Sequence, residues 1–256
     1  MSFSLFIKML TATIMSIFTV FSSASQVNMI GHRGMSAVYP ENTAMAFEQA
    51  AKHGFSGAET DVRVTSDGVY VTNHNDSVVL RDGTELEIAE NTYADLTAQP
   101  IRTAKSLKPV YLCTFKEYLE IMRDNDMICF IELKGDFSDE QINEIFTIAG
   151  EVYKLDKCIL QSFEFDNLVK AHEQFPDLRI MLTYDETDKS YVKCFEYGFS
   201  IDANFEVVDE EMVEAFHSRG LEVAAYTANE LLTLNYLKSL GVDYIESDLL
   251  GGAFAR

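Results

Sequence analysis

GAETDVRVTSDGVYVTNH, residues 57–74, decides the fold. Residues 57–61 read as a strand, and 62–66 carry it on to Asp67-Gly68, a strong hairpin signal. Residues 69–74 then read as a second strand. A two-residue turn joins only antiparallel neighbours, because parallel strands need a long crossover. The second strand is therefore an excursion from the end of the first, and it brings His74 back to where that strand ends. Glu59 and Asp61 are two residues apart on a strand, so they share a face.

Working outward, the same kind of short apolar run recurs at 27–31, 127–133, 158–163, 179–182, 199–204, 221–226 and 242–246. Amphipathic stretches separate most of them. Residues 209–219 begin with acids, place Met212, Val213 and Phe216 on one face and stop at Gly220. Residues 230–240 put Leu231, Leu234 and Leu237 in register and stop at Gly241. Strands alternating with helices imply a parallel sheet. Eight units predict an α/β fold, a (β/α)8 TIM barrel running from 25 to 256 as one domain. It carries the hairpin and an irregular insertion over 75–126 that precedes a helix at 114–123. An open doubly wound sheet is the alternative, and neither G-x-G-x-x-G nor G-x-x-x-x-G-K-[ST] is present to support it.

The composition fits one sizeable core: 256 residues, 47% hydrophobic and 24% charged, with 18 Phe and 12 Tyr. Lys+Arg is 20 against 41 Asp+Glu, a formal charge of −21. Such a surface repels nucleic acid and anionic membranes, so neither is expected as a partner. An anionic substrate would need local compensation by a cation or a few basic residues. Cys113, Cys129, Cys158 and Cys194 are widely spaced, form no C-x-x-C pair and are expected as free thiols.

The first two dozen residues stand apart. They hold one charge, Lys8, then an apolar stretch over 9–21 and small residues, with Ser22 and Ala24 at −3 and −1 of a cut after Ala24. This is the layout of a secretory signal peptide. It predicts a secreted or periplasmic protein with no stable membrane insertion once 1–24 are removed. Met29 as an internal start would instead give a cytoplasmic form.

Active sites of such barrels form at the C-terminal ends of the strands. The first strand ends in Gly31-His32-Arg33-Gly34, the second in Glu59-Thr60-Asp61, the hairpin at His74, the third in Glu132-Leu133-Lys134 and the seventh in Tyr226-Thr227. Two histidines, three carboxylates, one Arg and one Lys thus converge on one rim. Inward-facing Glu59 and Asp61 repel unless something positive lies between them. A divalent cation bound by oxygens answers this, with Glu132 as a third ligand. His53 and His217 sit in last helical turns and His172 in a helical stretch, all with structural explanations. Asn42 or Thr43 reads as an ordinary N-cap, and Asn229 as another. Ser162 lacks the G-x-S-x-G of a nucleophile.

Taken together, GHRG (31–34), PENT (40–43), the run 57–74, IELK (131–134), QSF (161–163), YTAN (226–229) and GVDYIESD (241–248) resemble the glycerophosphodiester phosphodiesterase family, in the family's order. The resemblance implies a TIM barrel, a divalent ion (Mg2+ or Ca2+) and hydrolysis of a small-molecule glycerophosphodiester to glycerol 3-phosphate and an alcohol. It implies His32 and His74 as acid and base, Glu59, Asp61 and Glu132 as metal ligands, and Arg33 and Lys134 as phosphate contacts. The chain departs from the family in His74-Asn75 for His-Asp, in Tyr226 for Trp on the substrate wall, and in Glu246-Ser247-Asp248 for Ile-Thr-Asp. A phospholipase D-like activity on lysolipids or sphingomyelin is the sister reading, and a non-catalytic phosphate-binding barrel the alternative from another class.

Overall fold

The computed structural model describes residues 27–255. The predicted signal peptide lies outside them. Twelve strands are present among the described residues: β1 (Asn28–Gly31), β2 (Gly57–Val64), β3 (Tyr70–Thr72), β4 (Ser77–Val79), β5 (Glu85–Glu87), β6 (Cys113–Thr114), β7 (Ile128–Leu133), β8 (Cys158–Ser162), β9 (Arg179–Tyr184), β10 (Ser200–Asn204), β11 (Val223–Tyr226) and β12 (Tyr244–Ser247). Eight of them, β1, β2 and β7–β12, pair in parallel. The β1–β2 pairing closes the ring, so the fold is the expected TIM barrel and not an open sheet.

The excursion is also as expected. β3 pairs antiparallel with β2, Val64 opposite Tyr70, across the Asp67-Gly68 turn. Gly68, at φ 82°, supplies the left-handed residue of that turn. The insertion is more ordered than its sequence suggests. It holds β6 on the outer edge of β3, a separate β4–β5 ribbon and the short helix Tyr93–Leu96 over a small core of its own. Strands of three residues are too short to show a period, which is why the segment reads as irregular.

Helices α1 (Ala44–Lys52), α2 (Tyr93–Leu96), α3 (Phe115–Asp124), α4 (Asp139–Val152), α5 (Phe165–Gln174), α6 (Cys194–Tyr197), α7 (Glu210–His217) and α8 (Leu231–Leu240) complete the chain. The boundaries follow local chemistry. Thr114 and Ser138 close capping boxes at the starts of α3 and α4, and Asp209 caps α7 by accepting from Met212 N at 2.8 Å. Residues 221–222 and 242–243, expected in strands, precede β11 and β12. Their apolar members Leu221 and Val242 pack in the core without ladder pairing. Phe199 likewise lies outside β10, stacked on Tyr197.

Alternation along the strands sorts side chains into two cores. The larger one fills the space between ring and helices. Inside the ring, Ile30, Phe130, Ile159, Met181, Ala224 and Tyr244 form an apolar plug. Below it, Arg179 bonds Glu222 at 2.6 Å and the Tyr244 hydroxyl. The next inward residues towards the strand C-termini are polar, and they form the site. All four cysteines are free and buried.

Candidate active site

The site begins at the end of β1. Gly31 and Gly34 bracket a tight turn in which Arg33 has φ 55° and Gly34 φ 79°. A Cβ on Gly34 would lie 2.6 Å from the Ala46 carbonyl carbon, so only glycine lets the turn rest on α1. The turn aims the Arg33 backbone N–H at Glu59 Oε2, 2.7 Å away. It sets the guanidinium beside Asp61 (Nε to Oδ2, 3.4 Å) and Glu41 (Nη1 to Oε1, 3.2 Å).

β2 delivers Glu59 and Asp61 inward, both buried, and β7 delivers Glu132 directly opposite Asp61 in register. Lys134 Nζ donates to Glu132 Oε1 at 3.0 Å and lies 3.6 Å from Asp61 Oδ1. One carboxylate oxygen from each of Glu59, Asp61 and Glu132 lies within 4.8 Å of the other two. His74 returns to this rim behind β3, its carbonyl accepting from Arg63 Nη2 at 2.7 Å and its Nδ1 3.1 Å from Asn75 Oδ1.

His32, Arg33, Glu59, His74, Glu132, Lys134 and Tyr226 line one cavity of about 240 Å³. Asp61 is not on its wall but touches both basic residues that are. The expected convergence is therefore present. A larger groove, about 790 Å³, runs between α1 and residues 105–112 and holds none of these groups.

The electrostatics ask for a cation. Burial, reinforced by Asp61, Glu246 and Glu132, pushes Glu59 well above the ordinary carboxylate range, against the pull of Arg33. Burial and then Asp61 push Glu132 up to about 7, against Lys134. Glu59 Oε1 and Asp61 Oδ1 are buried without a hydrogen-bond partner. Buried carboxylates without full compensation are costly, and an all-oxygen donor set suits a hard divalent ion. The residues present fit such an ion.

A family model described as the glycerophosphoryl diester phosphodiesterase family matches residues 32–251. The chain belongs to that family. A glycerophosphodiester phosphodiesterase of Bacillus altitudinis is 26% identical over 229 residues, 86% of this chain and 94% of the relative. Glycerophosphodiester phosphodiesterase 1 of Mus musculus is 24% identical, over 90% of this chain and 81% of its own. Among solved structures, a putative glycerophosphoryl diester phosphodiesterase from Silicibacter pomeroyi superposes with a TM-score of 0.79 at 24% identity, covering 89% of this chain and 91% of that one. An Oleispira antarctica phosphodiesterase, in complex with the product sn-glycerol-3-phosphate, gives 0.77 at 23% identity, covering 86% and 92%.

The phosphodiesterase site holds more than the sequence reading assigned. Asp248, just past β12, accepts from Ser36 Oγ at 2.7 Å and Asn229 Nδ2 at 2.6 Å, and pairs with His32 Nδ1 at 2.7 Å. Partial burial alone would raise its pKa; these partners, His32 first, outweigh that and bring it down to about 2. Neither asparagine is a cap. Thr43 caps α1, and Asn42, at φ 54°, instead donates to Asp61 Oδ2 at 2.7 Å. Asn229 bridges Asp248 and Ser247 and does not cap α8. Asp202, Gln161 and Glu246 are buried on the cavity wall. A carboxylate alternating with Ile201 and Ala203 was the available signal for Asp202. The three histidines set aside are structural: His53 Nδ1 meets Gln49 O, His217 pairs with Asp243, and His172 packs on Phe199.

Proposed function

We infer that the chain hydrolyses glycerophosphodiesters to glycerol 3-phosphate and an alcohol, with a divalent cation on Glu59, Asp61 and Glu132 and proton transfer by His32 and His74. One observation carries this reading. Three carboxylates close enough to share an ion adjoin Arg33 and Lys134, in contact with a cavity that both histidines face.

The demand is a phosphodiester anion on which charge builds at the phosphoryl oxygens and at the leaving oxygen. When bound, the cation supplies positive charge to offset it, usually the largest contribution. Arg33 would grip phosphate oxygens with its fork, pre-aimed by Glu41 and Asp61. Lys134 adds a point charge from the end of β7, the neighbour of β2. His74, with its pKa lowered first by burial and then by Arg33 and Lys134 in spite of Asp61, is neutral and suited to accept the proton of the attacking oxygen. His32 is held through Nδ1 by the ionised Asp248, which fixes the ring for its role as proton donor to the leaving alcohol.

The cavity size bears on substrate class. About 240 Å³ suits a glycerol phosphate, the part common to every glycerophosphodiester. A chelator tests the cation: turnover of glycerophosphocholine is expected to vanish with EDTA and return with Mg2+ or Ca2+. Turnover that persists after exhaustive chelation contradicts the reading.

The pH profile tests the histidine assignment. A lowered pKa keeps His74 neutral to lower pH than free histidine, so activity is lost only as pH falls through that lowered value. At saturating metal, where ligand ionisation does not set the profile, the acid limb of kcat/KM is expected below the ordinary ~6.5. A limb above it removes His74 as the base.

A further inference from the structure

We propose that the barrel mouth holds a second divalent cation beside the first, between Glu59 and Glu246 with Asp202 at its edge. Glu59, Glu246 and His32 each offer a donor atom, and these lie within 4.8 Å of one another. His32, bonded to Asp248 through Nδ1 and kept for proton transfer, borders the site and is not counted among the ligands of the second ion. Glu59 belongs to both triads and would bridge the two ions.

Glu246 and Asp202 come from β12 and β10 and are each 2% exposed. Their shared partner is neutral: Gln161 Nε2 donates to Asp202 Oδ2 at 2.7 Å and to Glu246 Oε1 at 3.0 Å. Among the described residues no ion pair reaches either carboxylate. Asp202 Oδ1, Gln161 Oε1, Thr183 Oγ1 and Glu59 Oε1 are buried with no partner at all, and all four residues line the same cavity. Every one of these atoms can accept a hydrogen bond, and three can do nothing else. A buried wall of unpaired oxygen acceptors is what a hard cation requires.

Charge balance points the same way, and this part rests on the phosphodiesterase reading. The site gathers five carboxylates, Glu59, Asp61, Glu132, Asp202 and Glu246, against Arg33 and Lys134. One divalent ion leaves a net negative charge before an anionic substrate arrives. With Glu41, which pairs with Arg33, counted as well, two divalent ions and the two bases balance the carboxylates, so an anionic substrate meets no net negative charge. A bridged pair of ions is also a familiar clamp for phosphoryl oxygens.

The test is a titration of the metal-stripped full chain with Mn2+ alone, read by equilibrium stoichiometry and electron paramagnetic resonance. Two Mn2+ per chain are expected, with the spectrum broadened by spin coupling. Glu246→Gln, checked for folding by circular dichroism, is expected to bind one ion with the six lines of an isolated centre. Asp202→Asn is expected to weaken the second ion by at least ~10-fold. One Mn2+ in the wild type, or two retained in Glu246→Gln, overturns the proposal and leaves the acceptors to substrate hydroxyls. Failure to bind any ion would overturn the first site as well, so the two readings fail separately.

Discussion

His74→Ala is expected to lower turnover of glycerophosphocholine by at least ~10²-fold with the fold intact, and His32→Ala by a similar factor, the scale of general acid–base catalysis. The two losses arise at different protons: His74 would take one from the attacking oxygen, and His32 would give one to the leaving alcohol. His74 is placed by its backbone, through the Arg63 grip on its carbonyl, so truncating its ring leaves that grip in place. His32 also keeps its backbone bond to Ser247 O at 3.1 Å. Single-turnover rates at saturating metal, beside circular dichroism of each variant, are the measurements. A rate within a few-fold of wild type for either removes that histidine from the chemistry.

The second large effect is expected at a residue that touches no substrate. Asp248→Asn should reduce kcat on the order of 10²-fold while KM changes little, because the carboxylate orients His32. The asparagine keeps the volume and can still bond Ser36 or Asn229, so a merely structural role predicts a small effect. The carboxylate is lost, and with it the 2.7 Å contact that fixes the His32 ring. The discriminating readout is the split: a change confined to KM, or no change in kcat, contradicts the positioning role.

Much of this site is legible in the chain because strand parity is a local rule. Glu59 and Asp61 share a face whatever the rest of the molecule does, and the Asp67-Gly68 turn dictates an antiparallel return that leaves His74 at the rim. What is not legible depends on partners far apart in sequence. Asn42 looks like a helix cap because its neighbours do; its bond to Asp61 spans 19 positions. Asn229 looks the same way, and its true partner lies on the far side of α8. Asp248 and His32 are 216 positions apart and meet because β1 and β12 are adjacent in the closed ring. Ring closure is a tertiary fact, so the residues it brings together emerge only from the structure. The inner carboxylates Asp202 and Glu246 sit in apolar strands where alternation alone marks a carboxylate as unusual; that their shared bond to Gln161 joins three different strands emerges only from the structure.

Glu59, Asp61 and Glu132 are expected to hold a cation that the basic residues and histidines surround. Anomalous diffraction from crystals grown with Mn2+ locates that ion. A peak is expected within bonding distance of all three carboxylates. Fully occupied Mn2+ bound elsewhere, with no density among these three side chains, would contradict it.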